Sequence, residues 1–487
     1  MKIKLTFLIY FFLMSFVIGC STDDGGFNMV GMWNTESFAD TYDEKYKDYE
    51  ENPFVKVADY PVSTFSVDAD GGSYANMRRF LYLGQTPPKA SVRIEEYINY
   101  FTFNYEAPEV GENVSLESEI STCPWDSEHY LIRLGMKGMT IPESELPNSN
   151  YVFLIDVSGS MNSPDKLGIL KAGFKTLVDN LRDQDRIAIV TYAGSNEVLL
   201  ESAYGDEKDK IKSAIDKLGA GGSTAGAAGI TTAYEIAQKN FIANGNNRII
   251  LGSDGDFNVG PSSVDDLVKL IEEKRESGIY LTVLGVGEGN LNDHMMEQIA
   301  NKGNGNYEYI DNAKQIQKVF IHEISKFHTI AKDCKIQITF NKNMVESYRL
   351  IGYENRKLNN EDFEEDSTDA GEIGSDQTIT ALYEVVLLDV QNKEKYAQFD
   401  FRYKKPQEAE SRLITHEINI IPKEMNSSSE NMRFAASVTG LGLLMKQSVY
   451  KGALTKQMVL DLGEEATTFD PNGYRKEFLE LVTNWNK

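Results

Sequence analysis

Between residues 150 and about 310 the chain repeats one pattern, a short and almost unbroken apolar run followed by a stretch with helical spacing. YVFLIDVS, RIAIVTYA, RIILGS and IYLTVLGVG are the apolar runs, and helices are expected over 165–181, 208–218, 225–241, 264–275 and 292–300. A strand apolar at successive positions leaves neither face for water, so both faces need cover, which the intervening helices supply. The expected fold is α/β, a doubly wound and mostly parallel sheet. Gly194-Ser195-Asn196 is too short for a crossover, so EVLLES is expected to form one antiparallel edge strand.

At 487 residues the chain exceeds what one core organises, so two or three domains are expected. Upstream, Pro87-Pro88 separates two helical segments, the second carrying Ile94, Tyr97, Ile98 and Phe101 on one face, and alternation over about 115–137 indicates strands. Downstream, CKIQITF, SYRLIGY, TITALYEVVLL, YAQFDFRYKK and LITHEINII are further strands. Each flank alone is too small or irregular for a core. The two are expected to join into one β-rich module with the α/β domain inserted between them. From Asn431 the chain reads as helical, and Asp470-Pro471 is read as the N-cap and first residue of the last helix. The partition is a leader over 1–19, an acidic tether over 20–57, an N-terminal domain over 58–148, the α/β domain over 149–312, a helix and β-rich module over 313–430, and a helical end over 431–487. The acidic stretch 359–376 lacks EF-hand spacing and reads as a solvated loop, with calcium binding as the alternative.

MKIKLTFLIYFFLMSFVIGC places two lysines before an apolar run shorter than the roughly 20 residues of a bilayer span, the form of a signal peptide. Val17-Ile18-Gly19-Cys20 resembles the lipobox of bacterial lipoproteins, which implies a lipidated Cys20 and a membrane anchor made of several acyl chains. Some 35 flexible residues after it would hold the body about 30–35 Å from the lipid. Asp23 and Asp24 resemble surface-export signals of some Gram-negative lipoproteins, with a plain acidic linker as the alternative. The expected location is the bacterial cell envelope, at the outer membrane. Cys123 and Cys334 are left to form either a disulfide or two buried thiols. A net charge of -25 without a basic patch argues against nucleic acid as a partner.

The run FLIDVSGSMN raises the functional question, because an apolar strand stops at Asp156 and hydroxyls follow at Ser158 and Ser160. A second strand ends at Asp254 in RIILGSDGDFN, and the Gly-rich loop GAGGSTAGAAG between them offers Thr224. Ligands of doubly wound sheets bind beyond the carboxyl ends of the strands. Two carboxylates a few ångströms apart there repel by roughly 3 kcal/mol at an effective dielectric near 20, so a positive group is expected between them. Carboxylates and hydroxyls suit a hard divalent cation, with magnesium preferred and calcium or manganese as alternatives.

The set D-V-S-G-S at 156–160, Thr224, and S-D-G at 253–255 resembles the metal-ion-dependent adhesion site of von Willebrand factor type A domains. The resemblance implies a metal held by Asp156, Ser158, Ser160, Thr224 and Asp254, with Ser253 standing where Thr is common. FSVDADGGSYANMRRFL, VRIEEYINYF, CPWDSEHYLIRLGMKG, YRLIGYENR and FAASVTGLGLLMKQSVYKG extend it to bacterial lipoproteins that flank such a domain with dedicated N- and C-terminal domains. The implied role is binding of a protein partner that offers an acidic residue to the metal, without catalysis. A structural or chaperone-like scaffold is the rival. For an enzyme the motifs are wanting: Ser158 occupies the second Asp of D-x-D-x-T, the Gly-rich loop lacks the P-loop Lys, and no G-x-S-x-G or H-E-x-x-H is present. Oligomeric state is not legible.

Overall fold

The computed structural model describes residues 44–68, 70–193, 195–221, 226–255, 264–388 and 394–485. A six-stranded sheet runs in the order Tyr307–Ile310, Tyr280–Val286, Asn246–Ser253, Ser149–Asp156, Arg186–Ala193, Ser195–Tyr204. Neighbours are parallel except the last pair, in which Ser195–Tyr204 turns back on Arg186–Ala193. The antiparallel edge expected from the short link is therefore present.

Alternate residues of the Ser149–Asp156 strand enter opposite cores. Tyr151, Phe153 and Ile155 pack with Phe174 and Leu177 of the helix Ile169–Asp179. Val152 and Leu154 pack with Ile230, Leu267 and Met296, carried on three helices of the other face. This two-sided burial is why the run is apolar at every position. The Arg186–Ala193 strand lies on one side of Ser149–Asp156 and Asn246–Ser253 on the other. The helix after Ser149–Asp156, Ile169–Asp179, lies on one face and the helix after Asn246–Ser253, Val264–Arg275, on the other, the topology at which such sheets usually bind ligands.

The flanks do form one module. The upstream strand Tyr130–Gly138 pairs antiparallel with the downstream strand Thr378–Leu387 through eight residue pairs, Thr378 opposite Lys137 to Val385 opposite Tyr130. Val114–Thr122 extends that sheet, and a second sheet built on Thr329–Phe340 shares its core through Ile132, Ile336, Phe399 and Tyr383. The helices Gly72–Tyr82 and Ile94–Asn99 pack with Glu430–Lys446 and Tyr474–Asn484 around Tyr74, Phe101, Phe434 and Phe478.

Buried polar groups join these parts. Arg78 grips Asp311, just after the last strand of the α/β sheet, at 2.6 and 2.8 Å, and the same guanidinium reaches Tyr100, Gln315 and Glu477. Asp70 accepts the Tyr307 amide at 2.9 Å, and Gly72 leaves room for the Tyr307 ring, which a Cβ would meet at 2.6 Å. Asp70 and Gly72 thus seat the edge strand of the α/β sheet.

Two expectations need correction. The tether expected over 20–57 does not extend that far, since residues from 44 onward are bound to the body: Lys45 N–H donates to Leu291 O at 2.8 Å, Glu44 pairs with Arg79, and Val55–Lys56 adds to a sheet edge. Polar composition reads as linker only while the partners are unknown. The last helix begins at Tyr474 after Gly473, not at Pro471, and Asp470 caps it from outside by accepting the amides of Arg475 and Lys476. Cys123 and Cys334 are free thiols in different cores, and burial pushes both up. Among the described residues no helix is long and apolar enough to cross a membrane.

Candidate metal centre

Strand register assembles the site. Ile155 lies opposite Gly252 and Asp156 opposite Tyr192, so Asp156 is level with Ser253 on one side and Tyr192 on the other. Asp156 Oδ2 accepts Ser253 Oγ–H at 3.0 Å and the Tyr192 hydroxyl at 3.3 Å, while Oδ1 accepts the Ser158 amide at 2.9 Å. Neither Asp156 nor Asp254 has any exposed surface. Burial raises the Asp156 carboxyl above its usual value, the charge of Asp254 adds to the rise, and the hydrogen bonds from Ser158 and Ser253 oppose it.

After Asp156 the chain makes a tight turn over Gly159–Met161, pinned by Met161, which is fully buried against Ile155 and its core. The turn brings Ser158 Oγ to 3.0 Å from Ser160 Oγ. Oxygens in adjacent positions of an octahedral shell of about 2.1 Å radius are about 3.0 Å apart. The two hydroxyls are thus held at the spacing of neighbouring ligands by the hydrogen bond they share. With buried carboxylate oxygens beside them, the donor set fits a hard divalent cation.

Asp156, Ser158 and Ser160 are therefore joined by hydrogen bonds at the carboxyl end of the sheet, and Asp254 lies near enough for its charge to act on Asp156. Thr224 and Cys20 lie outside the described residues. Three further side chains belong to the site and were not read from the sequence. Tyr192 supports Asp156 from the adjacent strand end, a place that strand register would have marked. Lys166 Nζ donates to Asp254 Oδ2 at 3.0 Å and to Asn290 Oδ1 at 2.7 Å. Asn290, in the loop after the Tyr280–Val286 strand, donates its own Nδ2 to Asp254 Oδ2 at 3.0 Å. His322 meets the Tyr474 hydroxyl, and burial holds His328 down at about 4.

Comparisons with known proteins agree with this architecture. The family model for the von Willebrand factor type A domain matches residues 150–322, one described as von Willebrand factor matches 40–133, and one described as uncharacterized protein YfbK, C-terminal, matches 325–487. The inter-alpha-trypsin inhibitor heavy chain H2 of Sus scrofa is 27% identical over 197 residues, 38% of this chain and 21% of that one. A solved von Willebrand factor type A structure from Catenulispora acidiphila is 16% identical, covering 78% of this chain and 91% of that one with a TM-score of 0.44. The uncharacterized protein YfbK of Escherichia coli strain K12 is 40% identical over 464 residues, 90% of this chain and 80% of that one. The chain belongs to the YfbK family, with a von Willebrand factor type A domain set between the amino- and carboxyl-terminal parts that the family carries.

Proposed function

We propose that the chain is a lipid-anchored envelope protein that binds a protein partner through a divalent cation, magnesium preferred, held by Asp156, Ser158, Ser160, Thr224 and Asp254. The observation that carries this reading is the pair of hydroxyls at ligand spacing beside a buried carboxylate, at the carboxyl end of the central strand of the sheet. When bound, the ion supplies an electrophilic site for an oxygen ligand from outside. Asp156 is oriented for that role by Ser253, Tyr192 and the Ser158 amide, and Ser158 and Ser160 orient each other. Such a donor set leaves a coordination position open, so an Asp or Glu of the partner completes the shell.

Magnesium should raise the melting temperature of the wild type, EDTA should reverse it, and Asp156→Ala should abolish the response. An equal rise in Asp156→Ala removes the site from consideration. Thr224→Ala should weaken partner capture from envelope extracts more than it lowers stability. For the anchor, Cys20→Ser should move the protein from the membrane to the soluble envelope fraction.

A second reading, a scaffold in which no ion mediates binding, is favoured by the ammonium that Lys166 already places on Asp254. A partner retained equally by wild type, Thr224→Ala and protein in excess EDTA would establish it.

A further inference from the structure

We propose that Lys166 is the residue that sets the charge of the metal centre, lowering its affinity for the bare cation and keeping the loaded site attractive to an anion. The inference rests on the metal-binding reading above. Lys166 is 8% exposed and its ammonium closes a three-way contact, donating to Asp254 Oδ2 and Asn290 Oδ1 while Asn290 Nδ2 donates to the same Asp254 oxygen. Its stem is fixed as firmly as its head. Gly287 has a φ of +80°, and a Cβ there would come within 2.4 Å of Lys166 Cγ and Cε. The Tyr309 hydroxyl donates to Gly287 O at 2.8 Å and holds that loop over the lysine. The charge is therefore built into the site and does not swing in from solvent.

The consequence follows by counting charges. Among the described residues of the centre Asp156 and Asp254 carry two negative charges and Lys166 one positive, so with a bound dication these groups sum to +1, whereas without the lysine they would sum to zero. The whole chain carries a formal charge of -25, which opposes an incoming carboxylate. A neutral centre offers no local field against that opposition, and a centre at +1 does. The cost falls on the cation: at roughly 5 Å, even with the dielectric of bulk water, repulsion between an ammonium and a dication corresponds to about tenfold in affinity.

The test uses Mn2+ as the probe on the full chain, with affinity followed by electron paramagnetic resonance. Acetate, as the simplest carboxylate, is then titrated against the water-proton relaxivity of the bound Mn2+. Lys166→Met keeps the stem under Gly287 and removes the charge, Lys166→Gln does so with a polar end, and Lys166→Arg keeps the charge. The two neutral variants should bind Mn2+ about tenfold more tightly or better and need severalfold more acetate to displace its water, while Lys166→Arg stays near the wild type. Mn2+ affinity unchanged or weakened in both neutral variants, with melting temperatures retained, overturns the assignment. So does a Mn2+ gain with no change in the acetate midpoint. If the wild type itself binds Mn2+ no better than Asp156→Ala, the metal reading has failed and this inference with it. Binding that Asp156→Ala abolishes but Lys166 does not modulate sinks the role of Lys166 alone.

Discussion

Glu95 makes the stability of this protein depend on pH in a direction that can be worked out. It sits in the helix Ile94–Asn99 with no exposed surface, and among the described residues neither carboxylate oxygen has a hydrogen-bond partner. Burial pushes it up to about 8, and Glu354, Asp68 and Glu96 add to the rise; the Tyr353 amide, which makes no full hydrogen bond with it, opposes. The nearby cations are engaged by the neighbours: Lys446 lies 3.8 Å from Glu354, Arg356 holds Asp68, and Arg93 holds Glu96 and Asp293. In the unfolded chain a glutamate loses its proton near the ordinary 4.5. Between that value and 8 the folded state binds one proton more, so stability is full below 4.5 and is lost as pH rises toward 8. The slope is about 1.4 kcal/mol per pH unit, with roughly 5 kcal/mol as the upper bound over the whole interval. Glu96, raised to about 7 by burial, adds its own share. Urea unfolding of wild type and Glu95→Gln at pH 5, 6, 7 and 8, at constant ionic strength, reads the effect. The neutral isostere should show a shallower decline and be the more stable protein at pH 8. Parallel curves for the two proteins would refute the reasoning, because they would mean that Glu95 is ionised in the fold at neutral pH.

Two further variants probe the joints between the parts. Arg78→Met should destabilise by about 3–5 kcal/mol in urea unfolding, because it strands the buried Asp311 carboxylate, while Glu477 keeps Lys314 and Tyr82; a loss under about 1 kcal/mol would show that the joint carries little energy. Gly72→Ala should cost about 1–3 kcal/mol, since its Cβ would strike the Tyr307 ring and lift the edge strand of the α/β sheet. Hydrogen exchange should then quicken first in Tyr307–Ile310, and an unchanged exchange pattern would count against this account.

The sequence by itself determined the α/β class, because a strand buried on both faces must be apolar at successive positions and a helix between strands must show one apolar stripe. It also marked Asp156, Ser158, Ser160 and Asp254, since a carboxylate ending an apolar strand is a local contradiction that only chemistry beyond the strand resolves. Insertion of the domain was legible from incompleteness: Val114–Thr122 and Tyr130–Gly138 could not bury a face without strands from beyond residue 330. What only the tertiary structure decided is which polar groups meet. Lys166 reaches Asp254 across 88 residues and Asn290 across 124, and Tyr192 reaches Asp156 across 36. Glu44 reads as tether because its sequence neighbours offer it only the Tyr46 hydroxyl; its charged partner and its backbone donor, the Arg79 guanidinium and the Gly289 amide, are 35 and 245 residues away. Periodicity and the chemistry of single residues are written along the chain, but the pairing of charges is set by which strand ends become neighbours when the sheet closes.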